Sequence, residues 1–390
     1  MTGYRPLGFD ASSYLTEREY SINALTADDF YRRIAKVLDG LTSHTSLNAQ
    51  LGGSLGSAKK LLLYRGQADE NWALTSSLYR RIVDKFGSYV SVDEVENVMR
   101  RVENEMLEKC EKDGWLRGFK SFERLAVMQH YGVPTRLLDV TSDWRVALYF
   151  SCEFLSDCPD IDGRLFLLTI NVRKGERSKS WISSDDADPM RSNNVSWVDK
   201  YVSDHSAWPV LLTPFDSRIA AQRASFLVGG LRLPKIDSGS NLRRWLIGNV
   251  QKEESEVLVS ALPINFLPPG PLRFREFSSG VKDLLRVSPG YGEESLKVWS
   301  ASAISLRVPS RFKASLCELL RKDGVSREVL FPNVELQMNG LSEFVEAAVV
   351  QLESGRYSRF QRKFRESMGE FLLEGKKSLR LSSSESSSGM

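Results

Sequence analysis

A dense group of polar side chains occupies the stretch QHYGVPTRLLDVTSDWRVALYF, residues 129–150. Between apolar flanks it carries the residue types that bind ligands or move protons, namely Gln129, His130, Tyr131, Thr135, Arg136, Asp139 and Thr141. The guanidinium and the hydroxyls could line a pocket for an anionic, hydroxyl-rich ligand, and a histidine could act there as a general base. The same groups could instead satisfy backbone groups at a tight corner, with Asp139 or Thr141 capping the helix that follows. On the sequence, both interpretations stay open.

A second candidate group begins at YRGQ, residues 64–67. Arg65 follows an apolar run and precedes a glycine, so its guanidinium is expected to emerge where a turn leaves space. A planar fork of five donors suits a phosphate or a carboxylate held by two hydrogen bonds. Gly66 would permit close approach of a ligand, or a positive φ. The alternative is structural, with Arg65 paired to an acid such as Asp139.

Two further patterns carry weaker signals. Arg218, Gln222 and Phe226 are spaced four apart and would share one face of a helix. Glu254 and Glu256 would lie on the same side of a strand, which is most simply an exposed edge.

The elements that must position these residues are a mixture of helices and strands. Helical periodicity is typical of residues 25–41, of two helices within 92–132, and of 143–155. Apolar runs predict strands at 61–66 and 163–172, further strand material at 216–230 and 256–266, and a strand followed by a helix within 300–332. Because the helices fall in blocks, the fold class predicted is α+β, with a mixed or antiparallel central sheet and flanking helices.

Composition excludes several classes of protein. Lysine and arginine number 53 against 50 acidic residues in 390, which excludes a strongly basic nucleic-acid binder. Four scattered cysteines and three histidines give no zinc framework, so no metal is predicted. The few cysteines fit a reducing compartment, and no apolar run is long enough to span a bilayer. We therefore expect a cytoplasmic protein with no membrane partner.

The predicted organisation has four parts. Residues 1–24 are a lead-in, 25–340 the main domain, 341–380 amphipathic helices forming a hairpin, and 381–390 a disordered serine-rich tail. Within the main domain, 61–155 hold the core motifs and 173–210 form a polar insertion.

Together these stretches resemble the FRG domain, a family named for an aromatic-Arg-Gly motif. YRGQ with SLYRR after it resembles the family's opening, MQHYGVPTRLLDVTSDWRVALYFSC its central block, and RIAAQRASF and LRKDGVSREVLFPNVE its later segments. The resemblance spans roughly residues 25–345.

The FRG pattern is in turn distantly similar to the arrangement of mono-ADP-ribosyltransferases. That likeness implies a transferase-like core, NAD as the cofactor, and an NAD-consuming activity with a protein or nucleic-acid acceptor, as in a toxin or an anti-phage effector. It implies catalytic roles for Arg65, Thr141, Gln222 and Glu256, and cofactor contacts from Arg65, Gly66, Gln67, His130, Thr135, Arg136 and Asp139. Gln222 stands where the transferases have a glutamate, and glutamine cannot carry the charge. The alternative is a module that binds a nucleotide or nucleic acid without turnover.

Overall fold

The structure is a computed structural model of the 390-residue chain. It describes residues 11–45, 60–86, 92–153, 160–171, 182–183, 207–212, 217–231, 262, 264–267, 276–286 and 301–332. The chain divides into two compact units, the first ending at Phe331 and the second running from Pro332 to Met390. All elements below belong to the first unit.

One mixed sheet organises this unit. Its strands are β1 (Lys60–Gln67), β2 (Leu138–Thr141), β3 (Gly163–Asn171), β4 (Ile182–Ser183), β5 (Trp208–Leu211), β6 (Ala224–Val228), β7 (Ile264–Phe266) and β8 (Ala301–Val308). Their order across the sheet is β4-β5-β6-β2-β1-β3-β8-β7. The pairs β4–β5 and β7–β8 are parallel and the others are antiparallel.

Helices cover the sheet. They are α1 (Ala11–Thr16), α2 (Ala27–Thr45), α3 (Ser77–Phe86), α4 (Val92–Asp113), α5 (Ser121–His130), α6 (Trp144–Cys152), α7 (Ser217–Ala221), α8 (Phe277–Arg286), α9 (Ser310–Lys322) and α10 (Arg327–Leu330). Leu62 and Tyr64 of β1 pack into a core with α2, α6, α8 and α9, whereas Leu61 and Leu63 pack into a second core with α1. Successive strand residues point to opposite faces, so a strand buried on both faces is apolar throughout.

A buried ion network joins helix α4 to the residues just before β2. Arg136 donates from Nε to Glu103 at 2.6 Å and from Nη1 to Glu96 at 3.0 Å. The three side chains are at most 1% exposed. Removal of one partner would leave a buried charge without compensation, so this network fixes α4 against the chain that enters β2.

Most of the predicted elements are confirmed. The α+β class, the strands at β1, β3 and β8, and the helices α2, α4, α5, α6 and α9 lie where periodicity predicts them. The stretch 216–230 is not all strand, since α7 precedes β6. The cap of α6 is neither Asp139 nor Thr141 but Asp143, whose side chain accepts from the Arg145 backbone N–H at 2.9 Å.

Other predictions fall largely or wholly outside the described residues. These are the C-terminal helices at 341–380, the tail at 381–390, and most of the polar insertion at 173–210, of which the structure describes β4 and the start of β5. None of the helices in the described ranges combines the length and apolar character needed to cross a membrane.

Candidate functional site

A pocket of about 230 Å³ opens where strands β1 and β2 separate. Within the described residues the β1–β2 ladder consists of one pair, Tyr64 with Thr141, whereas β1 pairs with β3 along its whole length. The pocket walls come from β1, α5, β2, α6, α7 and β6, and from the turn between α7 and β6. Three stretches of the chain, within residues 64–66, 126–150 and 218–226, therefore meet at a split in the sheet.

Arg65 is the principal cation of this pocket. Its Nη1 donates to the Asp139 backbone carbonyl at 2.6 Å and lies 3.5 Å from Asp139 Oδ2. The Arg65 side chain is 17% exposed and that of Asp139 is 58% exposed, so the cation is largely enclosed while its counter-ion faces water. Burial lowers the pKa of Arg65 and Asp139 opposes that shift, but a guanidinium remains charged. Arg65 Nε is buried and has no hydrogen-bond partner among the described residues.

Gly66 allows helix α6 to lie directly against β1. A Cβ at this position would come within 1.8 Å of the Ala147 carbonyl oxygen and 2.7 Å of the Ser151 backbone nitrogen. Its φ is not among the positive values in the described chain. Glycine is thus required by the approach of a helix backbone, although Gly66 also lines the pocket.

Arg80 of α3 adds a second positive charge near Arg65. Burial lowers the pKa of Arg80, and the charge of Arg65 lowers it further, while Asp139 and Asp84 act in the opposite direction. Its Nη1 donates to the Thr75 carbonyl at 2.5 Å. Two neighbouring guanidinium groups produce a local potential that attracts an anion.

Asp139 is held by a chain of side-chain hydrogen bonds. Gln129 donates from Nε2 to Asp139 Oδ1, and its Oε1 accepts from the Thr135 hydroxyl. The Thr135 oxygen also accepts from the Leu137 backbone N–H at 3.2 Å. Thr135 is fully buried and acts on the pocket through Gln129 rather than by lining it.

Thr141 joins β2 to the turn after α7. Its hydroxyl donates to the Gln222 carbonyl at 2.8 Å and accepts from the Asp143 backbone N–H at 3.1 Å. The Gln222 side chain donates from Nε2 to the Leu330 carbonyl at 3.0 Å. Arg223, the next residue, has φ of +46°, a left-handed conformation that is uncommon outside glycine. The position of Gln222 is therefore fixed from both β2 and α10.

Aromatic rings form the remaining wall together with Arg218. Phe150 and Phe226 line the pocket with His130 and Arg218. The Arg218 guanidinium lies 4.4 Å from the centre of the Phe331 ring, which in turn packs edge-on against Phe150 at 6.1 Å. Flat apolar surfaces beside cations suit a planar heterocycle that carries an anionic group.

The residues that were given catalytic or cofactor roles from the sequence, together with Glu254, divide into three groups. Those that line the pocket are Arg65, Gly66, His130, Asp139, Thr141 and Gln222. Gln67, Thr135 and Arg136 are buried away from it, since Gln67 donates to the Ala73 carbonyl at 3.1 Å and Arg136 belongs to the ion network. Glu254 and Glu256 lie outside the described residues. In the described ranges, no cluster of three or more His, Cys, Asp or Glu side chains could hold a metal.

Some pocket residues were not singled out as site residues from the sequence. Phe150 continues the apolar pattern of α6, which does not distinguish a pocket wall from the core, and Arg80, near Arg65 but not in the pocket wall, lies in a helix that was not predicted. The spacing of Leu78, Tyr79 and Ile82, which are all buried, is the signal that could have identified α3. Arg218 was noted only for its spacing from Gln222.

Comparison with known families supports the resemblance inferred from the motifs. Residues 60–157 match the model of the FRG domain, so the chain contains an FRG domain. The matched region includes Arg65, Arg80, His130, Asp139, Thr141 and Phe150, and ends before Arg218 and Gln222. No curated protein and no solved structure matches the chain.

Proposed function

From the FRG domain and the pocket beside its Arg65, we propose that this protein binds a nucleotide and consumes NAD, by ADP-ribosyl transfer or by NAD cleavage. The observation that carries the proposal is the pairing of an enclosed guanidinium with pocket residues Asp139, Thr141 and Gln222 at a split between two strands. The aromatic-Arg-Gly strand and the Asp139–Thr141 strand are the elements whose likeness to transferases suggested NAD, and they border the same cavity.

Pocket size limits which part of NAD would enter. A volume of about 230 Å³ is below the roughly 300–1,000 Å³ of pockets that enclose a drug-sized ligand. We propose that one end of the dinucleotide, the nicotinamide ribose with the adjoining phosphate, occupies the pocket. Arg65 Nε and Nη2 would donate to the phosphate, and the rings of Phe150 and Phe226 would flank the heterocycle.

The reaction needs a group that stabilises positive charge as the bond to nicotinamide breaks. Asp139 is the carboxylate that lines the pocket in the described chain, and Glu256 is the second candidate because of the transferase likeness. Gln222 can bond a ribose hydroxyl through its Oε1, since its Nε2 is committed to Leu330. His130 lines the pocket, and in this proposal it would exchange a proton with an acceptor.

Release of nicotinamide from NAD tests the proposed reaction. Arg65→Lys keeps the charge and removes the planar fork, so the rate is expected to fall about tenfold to hundredfold, the loss expected for one or two hydrogen bonds to a charged group. Arg101→Lys is the matched control, because Arg101 is 82% exposed on α4 and pairs with Glu105 on the surface. Equal rates for the two variants would remove Arg65 from the reaction.

A binding module without turnover is the second candidate. It is favoured by one observation: Asp139 accepts from Gln129 and pairs with Arg65, which are the contacts of a side chain that positions the guanidinium. NAD or ADP-ribose that binds with no nicotinamide release, across protein and nucleic-acid acceptors, would decide for this candidate.

A toxin or anti-phage effector is the biological role we propose for an NAD-consuming activity. Expression of the wild-type chain in bacteria would then lower cellular NAD and arrest growth, whereas Arg65→Lys at the same expression level would lower NAD more slowly and slow growth less. Normal NAD levels with abundant wild-type protein, with or without phage infection, would contradict this role.

A further inference from the structure

Two cysteines lie together on the side of the fold that supports the pocket. Cys152 is the last residue of α6 and is fully buried, whereas Cys317 lies in the middle of α9 and is partly exposed. The Cys317 thiol donates to the Cys152 backbone carbonyl at 3.9 Å, so the two residues are in contact. Residues of both helices belong to one apolar cluster, so the pair is held by packed secondary structure.

The two thiols have opposite electrostatic environments. Interaction with Cys152 lowers the pKa of Cys317, and Arg321, one turn further along α9, contributes in the same direction. Burial raises the pKa of Cys152. Lys313, one turn before Cys317, is itself buried and donates from Nζ to the Ala68 carbonyl at 2.6 Å. Cys317 is thus the partly exposed thiol, with the charge of Glu153 opposing the effect of Arg321 on its pKa, and Cys152 is the enclosed one.

We propose that Cys317 and Cys152 are a peroxide-sensitive thiol pair that closes to a disulfide. The Cys317 thiolate attacks the O–O bond of a hydroperoxide, which gives Cys317 sulfenic acid and releases hydroxide, or alkoxide from an organic peroxide. The Cys152 sulfur then attacks the Cys317 sulfur, the S–O bond breaks, and the hydroxyl leaves as water with the Cys152 proton. The two thiols lose two electrons, and the peroxide is reduced by two.

Because the two cysteines lie on helices that support the pocket, a disulfide between them would affect the pocket walls. Helix α6 carries Phe150 on the pocket wall and places the Ala147 carbonyl against Gly66. Helix α9 leads into α10, whose Leu330 carbonyl holds the Gln222 side chain. A covalent link between α6 and α9 would therefore join the two supports on either side of the pocket. The disulfide would constrain helices α6 and α9 whatever ligand the pocket binds.

The other cysteines differ from this pair. Cys110 is buried in the cluster formed by α4 and α5, and burial raises its pKa. Cys158 lies outside the described residues, six positions after Cys152 in the chain. Cys110→Ser and Cys158→Ser serve as controls, because each removes one thiol and leaves Cys152 and Cys317 in the chain.

Peptide mapping of the full chain after hydrogen peroxide treatment tests the proposal. The expected result is one peptide that joins Cys152 to Cys317 under non-reducing conditions, is lost on reduction, and persists in Cys110→Ser and Cys158→Ser. In Cys317→Ser the link is absent.

Native alkylation of the untreated chain should label Cys317 on the order of tenfold faster than Cys110. A dominant link that involves Cys158 or Cys110, or oxidation of Cys317 to sulfinic acid with Cys152 still a free thiol, would overturn the proposal. Because the mapping uses the wild-type chain, unfolding of a variant does not obscure the result.

Discussion

At the scale of single residues, the pocket side chains divide into those that face the cavity and those that hold its frame. Arg65 lines the cavity, and its Nε has no hydrogen-bond partner among the described residues. By contrast, Thr135 lies behind Gln129, and Arg136 belongs to the ion network. The sequence alone made these residues equivalent candidates, because residue type and spacing do not distinguish a polar group turned to a ligand from one turned inward. Burial and hydrogen-bond partners make that distinction.

Thr141 both lines the cavity and holds its frame, and its substitution should reveal the second role as a loss of stability. Thr141→Val keeps the shape of the side chain and leaves the Gln222 carbonyl and the Asp143 N–H without their partner. We expect a loss of about 1–3 kcal/mol in the free energy of unfolding, measured by urea denaturation. Thr141→Ser retains the hydroxyl and should be the more stable of the two variants. A Thr141→Val protein as stable as wild type would show that these bonds contribute nothing to the frame.

Gly66 is expected to be intolerant of any side chain. In Gly66→Ala the new methyl group would overlap the Ala147 carbonyl, so α6 must move away from β1. Overpacking of this kind costs about 1–3 kcal/mol, readable as a lower urea midpoint. Gly40→Ala in α2 is the control, since a Cβ there meets no atom within 4 Å and should stabilise by about 0.4–1 kcal/mol. The account of Gly66 fails if the two substitutions change stability in the same direction.

At the scale of elements, long apolar runs and helical periodicity were sufficient for β1, β3, β8 and α6. They were insufficient for β2, because LDVT is four residues long and is a strand only through its neighbours β1 and β6. The division of 217–228 into α7 and β6 depends on the left-handed backbone at Arg223, which no apolar pattern encodes. Arg218, Gln222 and Phe226 reach one pocket by that turn and not by a common helix face.

Three helices on one side of the sheet are joined by a cluster that should respond to acid. Asp323, which follows α9, accepts from the Tyr31 hydroxyl of α2, and from Arg145 Nε of α6 at 3.1 Å. The bond from Tyr31, followed by Arg145, lowers the pKa of Asp323 below its ordinary value of 3.8. A carboxylate whose pKa is lower in the folded state stabilises fully above the unfolded pKa, and that stabilisation is lost as the pH falls through the folded pKa.

Wild type and Asp323→Asn should therefore differ in stability near neutral pH and converge in acid. Thermal unfolding at pH 6 is expected to give the higher Tm for wild type, with the difference shrinking as the pH falls below about 4. Asp113→Asn is the control, because Asp113 pairs with Lys109 on the surface of α4 and should change Tm little. A difference between wild type and Asp323→Asn that grew on acidification would refute the sign of this effect.

At the scale of the whole molecule, strand order is what creates the candidate site. β2 lies beside β1 although more than 70 residues separate Arg65 from Asp139 along the chain, and β6 lies beyond β2. The transferase likeness groups Arg65 with Asp139 and Thr141, and these three residues line one pocket. This grouping came from family likeness, since apolar patterns specify that a strand is buried but not which strand is its neighbour.

Calorimetric titration of NAD and of ADP-ribose into the purified chain tests most directly whether the pocket beside Arg65 binds an anionic nucleotide. Wild type and Arg101→Lys should bind alike, and Arg65→Lys, in the absence of urea, where it is folded, should bind about tenfold to hundredfold more weakly. Equal affinity of Arg65→Lys and wild type for both ligands, or no heat of binding from wild type with either one, would contradict the account.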